Sequence, residues 1–136
     1  MKIESKIGTI LQPDKKIFDF VSNFKNFQNL IPADKVKNWE STEEECSFEV
    51  EGLGKTGMKI IEKEASKLVK ITSSDTSPFH FFLWIQLKQL AENDTRVKIT
   101  IEPKINAMMQ MMVKKPLQTF VDTLVDQMVT FSYDKS

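Results

Sequence analysis

Between Lys2 and Leu11 the apolar residues Ile3 and Ile7 alternate with Glu4 and Lys6, a period of two that predicts a strand with one wet face. Gln12-Pro13-Asp14 follows, with proline suited to a first helical turn and a carboxylate where the positive end of the helix dipole favours it. Ile17, Phe18, Phe20 and Val21 then supply an apolar stripe at helical spacing, which predicts a short helix. A second short helix is expected from Phe24, Phe27 and Leu30, spaced three apart and closed by Pro32. Strand-like runs come next: Val36 to Ser41, Cys46 to Glu51, Lys55 to Glu64, Lys67 to Ser74, Phe79 to Ala91 and Arg96 to Lys104. Their separators are short and polar or glycine-bearing, so neighbouring runs read as hairpins and the sheet as antiparallel.

From Asn106 to Phe131 the period shifts to 3.6. Met109, Met112, Val113, Leu117, Phe120, Val121, Leu124, Val125, Met128 and Phe131 trace one wide apolar face, with Lys114, Lys115, Gln118, Asp122 and Asp126 on the other. Pro116 is expected to kink or restart this helix, because it removes a backbone donor and crowds the preceding turn. A helix of about 25 residues spans about 37 Å, longer than the core of a small domain. It is buried only if the sheet curls around it.

Residues 1–136 therefore read as a single α+β domain, and at this length roughly two-thirds of the unfolded chain's surface is buried on folding. The 19 Lys and Arg balance 19 Asp and Glu, so no global field is expected to draw the chain onto phosphate or anionic lipid, and nucleic acid is not an expected partner. Cys46 is the one cysteine and no cysteine or histidine cluster has metal-ligand spacing, so no metal or other cofactor is expected. A lone thiol and an N-terminus without an apolar stretch are read as cytoplasmic, and no run is long enough for membrane insertion. Asn93-Asp94-Thr95 matches a glycosylation triplet but is read as turn chemistry.

The order strand, two short helices, six strands and long helix resembles the helix-grip layout of the START-like superfamily. That group spans ligand carriers, polyketide cyclases and dehydrases, and small bacterial proteins akin to one component of carbon monoxide dehydrogenase. The resemblance covers essentially the whole chain. It rests on Ser5-Lys6-Ile7 leading to Pro13 and Phe18-Asp19-Phe20-Val21, on Gly52-Leu53-Gly54, and on Lys114-Lys115-Pro116-Leu117. It implies a seven-stranded curved antiparallel sheet around the last helix, with a cavity between them for an apolar small molecule or lipid. It carries over no active-site residue, and a polyketide cyclase or dehydrase-like enzyme, or an interaction module with a vestigial pocket, are the alternatives.

Strand parity picks the lining of such a cavity. Phe81, Leu83 and Ile85, with Phe79 and Leu87, form the all-apolar face of their strand; Ile99 lies with Val97 and Ile101 on the next. Ile71 with Val69, Met58 with Ile60, and Phe48 with Val50 are the matching residues elsewhere, and Met109, Met112, Phe120 and Leu124 come from the helix. The same residues also serve as plain core. Met108, Met109, Met111 and Met112 suit either a pliable mouth or a flexible core filler.

Chemistry has few candidates. His80 falls on the outer face just after Pro78 and reads as a surface histidine, and Cys46 reads as a small buried hydrophobe. Glu62 shares parity with Met58 and Ile60, which makes it the one carboxylate expected to reach the concave side as an acid or base. The runs Glu43-Glu44-Glu45 and Lys114-Lys115 read as solvated surface. Phe82 and Trp84 point away from the cavity, which raises a homodimer interface as one explanation.

Overall fold

The computed structural model of the chain describes residues 1–31, 34, 36–50 and 54–133. Where one first strand is expected the chain makes two, β1 (Ile3–Glu4) and β2 (Gly8–Ile10), both antiparallel to the same long partner. Ser5 causes the break. Its amide donates to the carbonyl of Ile99 at 2.7 Å, but its side-chain Oγ, not its carbonyl, accepts from the Ile99 amide at 2.8 Å. The ladder therefore slips between Glu4 and Gly8, and the sheet has eight strands among the described residues instead of seven.

Helices α1 (Asp14–Val21) and α2 (Phe24–Phe27) follow, the second running into a 3-10 turn at Gln28–Leu30. Asn23 caps α2 by accepting from the Lys25 amide. The sheet continues through β3 (Val36–Ser41), β4 (Glu45–Val50), β5 (Gly54–Glu64), β6 (Leu68–Ser73), β7 (His80–Ala91) and β8 (Asp94–Lys104). Every pair is antiparallel, in the spatial order β1-β8-β7-β6-β5-β4-β3 with β2 also on β8. Pro32 and the Gly52-Leu53 part of the β4–β5 connection lie outside the described residues.

The long helix α3 (Ala107–Thr130) starts at Asn106, whose side chain accepts from the Met109 amide, and passes through Pro116 without a restart. It packs on β8, β1, β2 and the 3-10 turn, so it lies over one side of the curved sheet. Leu117, Val121, Leu124, Val125 and Met128 are its buried residues, and they join the inner faces of the strands and Ile17, Phe20, Phe24 and Phe27 in a single core.

The break at Ser5 also fastens the helix. Gln118 Nε2 donates to the Glu4 carbonyl at 2.8 Å, the Lys6 amide donates to Asp122 Oδ1 at 2.8 Å, and the Lys6 ammonium pairs with Asp126. Gln118 and Asp122, expected on the polar face of the helix, thus satisfy backbone groups at and just after the edge strand β1. At the other end of α3 the Tyr133 hydroxyl donates to the Met128 carbonyl at 2.7 Å. The Tyr133 ring meets Phe20 and Phe131 at centroid separations of 5.4 and 5.1 Å.

Candidate functional site

The interior between sheet and helix is where a guest is expected, and its two ends differ. Val69, Ile71 and Ile85 from the sheet and Val121, Val125 and Met128 from α3 have no accessible surface at all. A side chain bordering a hollow large enough for water would retain some, so this half of the grip is solid core. Leu83, Ile99 and Leu124, all expected to line a cavity, belong to the same filled region.

Toward the start of α3 the packing loosens. Leu117 is buried, Val113 half-buried and Met109 exposed, and Phe120 is half-buried at the flank of the same stripe, so cover is lost toward the first turns. Ile31, Val36, Trp39 and Val50 are likewise only partly covered, although all pack against the core. Trp39 stacks on the buried Phe48 at a centroid separation of 5.3 Å, and its indole N–H donates to Ser41 Oγ at 3.1 Å. That satisfied donor leaves the Trp39 ring as an apolar wall.

Of the other expected lining residues, Phe48, Met58, Ile60, Ile71, Phe81 and Ile85 are buried as strand parity requires, and Val50 is half-buried. Met112 is a correction: it stands in solvent, because its direction around the helix falls outside the arc the sheet covers. The residues that reasoning from sequence missed are Ile31, Val36 and Trp39. A half-apolar strand next to a chain segment ending in proline is a weak signal for partly covered apolar surface.

The surface concavities among the described residues include one of about 400 Å³ beside Ser73, Ser74, Ser77 and His80, and one of about 750 Å³ over Thr42–Glu45 and Lys59–Ile61. Neither is lined by a residue of α3. Beside the first, His80 is exposed as expected, and its Nδ1 lies 2.9 Å from Ser73 Oγ, which also accepts from the Phe81 amide at 3.0 Å.

Glu62 is the main correction. The β5–β6 register pairs Ile60 with Ile71 and then Glu62 with Lys70, so Ile61 is an extra residue and Glu62 emerges on the outer face, exposed. A one-residue bulge reverses the parity on which the inward expectation rested. Cys46 is buried as expected, and desolvation pushes its thiol up to about 12, against an ordinary value of 9.0, despite a backbone hydrogen bond with Met58 that lowers it. Such a thiol is not a nucleophile at neutral pH. Among the described residues no group of three or more acidic, histidine or cysteine side chains is arranged to hold a metal.

Phe82 and Trp84 do face outward, half-buried, 6.0 Å apart. Lysines cover them: Lys70 lies 4.9 Å from the Phe82 ring centre and 5.6 Å from that of Trp84, Lys2 lies 5.2 Å from Trp84, and Lys104 lies 5.9 Å from Phe82. The stems and charges of this chain's own lysines thus shield the aromatic pair.

The eight-stranded sheet gripping a C-terminal helix matches solved structures along nearly its whole length. The chain has the START-like helix-grip fold. A norcoclaurine synthase from Thalictrum flavum is similar at a TM-score of 0.73 and 13% identity, over 100% of this chain and 96% of that one. A protein from Chromobacterium violaceum gives 0.72 and 11%, covering 96% of each chain. A START superfamily protein from Mycobacterium smegmatis gives 0.66 and 10%, covering 93% of this chain and 96% of that one. No protein-family model and no curated protein matches the sequence. At these identities the shared property is the fold. No helix among the described residues is long and apolar enough to cross a membrane.

Proposed function

We infer that the chain binds an apolar small molecule or lipid at the loose end of the grip, against the first half of α3, and that the partly covered apolar residues of β3 and β4 take part in its lining. One observation carries this reading: toward the start of α3 the apolar stripe loses its cover, from buried at Leu124 and Leu117 to partial at Val113 and exposed at Met109. That loss of cover leaves part of the stripe's apolar surface open to a guest. Ile31, Val36, Trp39 and Val50 supply partly covered apolar surface on the same core. The norcoclaurine synthase of this fold was solved in complex with a transition-state analogue, which supports the grip as a place for a small molecule. A cyclase- or dehydrase-like reaction would need an acid or base against the guest, and Glu62 stands outside. The free, buried Cys46 fits a reducing compartment, and we read the cytoplasm as the site of action.

Titration with an apolar fluorescent probe, with native mass spectrometry of the purified protein, tests the reading. Saturable probe binding that Val113→Asp and Trp39→Ala each weaken, with unchanged folding by circular dichroism, is the expected result. Absence of saturable binding together with absence of any co-purified species overturns it.

A further inference from the structure

Met108, Met111, Met112 and Lys115 recur at i, i+3, i+4 and i+7 and so share one face of α3. The buried Leu117, Val121, Leu124 and Met128 occupy the opposite face. The three methionines are 75%, 83% and 72% exposed, so seating the helix in the sheet explains none of them. Scattered apolar residues on a surface are ordinary, but three large ones on a single helical face form a patch.

Along this stretch of the chain the charges have one sign. From Pro103 to Val121 the chain carries Lys104, Lys114 and Lys115 and no carboxylate, although the whole chain balances 19 against 19. Glu102 matches Lys104 at 3.1 Å. Among the described residues Lys114 and Lys115 have no acidic partner, so the net positive charge sits at the methionines.

We propose that this end of α3 docks on an anionic lipid surface, with Met108, Met111 and Met112 entering the headgroup boundary and Lys114 and Lys115 meeting the phosphates and carboxylates. A helix with an apolar face edged by lysines lies in the plane of such an interface, and each basic residue near an anionic leaflet strengthens the attraction. Methionine suits the acyl boundary because its unbranched thioether adapts to a fluid surface. A second copy of the chain fits the patch less well, since a two-fold contact sets the same lysines of both copies against each other. The proposal is independent of whether a guest enters the grip, and its test uses no guest.

Co-sedimentation with lipid vesicles decides it. The protein is expected to pellet with phosphatidylcholine vesicles holding about 30 mol% phosphatidylserine and to stay in solution with phosphatidylcholine alone. Replacing Lys114 and Lys115 by Gln weakens partitioning about fivefold per lysine. The triple change Met108→Ser, Met111→Ser, Met112→Ser removes it, while the thermal melt stays that of the parent because the three side chains are exposed. A parent that ignores anionic vesicles overturns the proposal, as does a triple variant that still pellets. A lipid-free, concentration-dependent rise in mass that the triple variant abolishes would assign the face to a second copy and likewise overturn it.

Discussion

Gly8 of β2 lies so close beneath Val125 of α3 that a Cβ at position 8 would stand 2.6 Å from Val125 Cγ1, and 2.8 Å from Val129 Cγ2. No carbon pair tolerates that approach, so the depth at which the helix sits in the sheet depends on a missing side chain. Gly8→Ala is expected to destabilise the protein by about 1–3 kcal/mol through overpacking. Urea denaturation should show the loss as a lower midpoint. In Gly8→Ala with Val125→Ala the added methyl enters space the valine vacates, so the double change should cost less than the sum of the two single ones.

Tyr133 closes the far end of the same helix. Tyr133→Phe keeps the ring contacts with Phe20 and Phe131 and deletes the hydrogen bond to the Met128 carbonyl. The expected cost is about 1–3 kcal/mol, the usual consequence of leaving a buried acceptor without its donor. Differential scanning calorimetry reads it as a lower Tm, with binding of an apolar probe at the opposite end of α3 unchanged.

Burial of Cys46 gives the folded state a pH dependence of definite sign. Its thiol is held up at about 12 in the folded chain against 9.0 when unperturbed, so the folded state keeps a proton that the unfolded state releases. The associated stability is fully present below pH 9 and is lost progressively as pH rises from 9 toward 12. The slope is at most about 1.4 kcal/mol per pH unit. Denaturation at pH 8 and pH 10 should show a smaller alkaline loss for Cys46→Ala than for the parent, and the parent thiol should react with a disulfide reagent only slowly at pH 8.

Lysines supply the cover over Phe82 and Trp84 from within one chain. Trp84→Ala is therefore expected to leave the sedimenting mass unchanged while costing about 1–2 kcal/mol, from the contacts of Lys2 and Lys70 with the ring. A fall in mass on that substitution would instead make the pair a dimer contact.

Much of this architecture was legible along the chain because periodicity is a local property. The alternation from Phe79 to Leu87 and from Val97 to Ile101 marks the inner faces of β7 and β8 correctly, since each strand there runs without interruption opposite its partner. The change of period after Lys104 likewise marks the long helix. The same reasoning failed at Glu62 and Ser5, where one strand gains a residue and another trades a backbone acceptor for a side chain. Either event needs knowledge of the partner strand, distant in sequence.

The sequence by itself thus determined the kinds of element, their order and most of the core, because an apolar residue every two or every 3.6 positions can be satisfied in only one secondary structure. The tertiary structure alone decided how far the sheet reaches along α3. That reach follows from where β1 and β2 meet β8, from the bare backbone at Gly8, and from Gln118 and Asp122 binding the interrupted strand. Contacts between segments more than a hundred residues apart leave no periodic trace, yet they set which part of the apolar stripe becomes solid core and which remains open at Val113 and Met109.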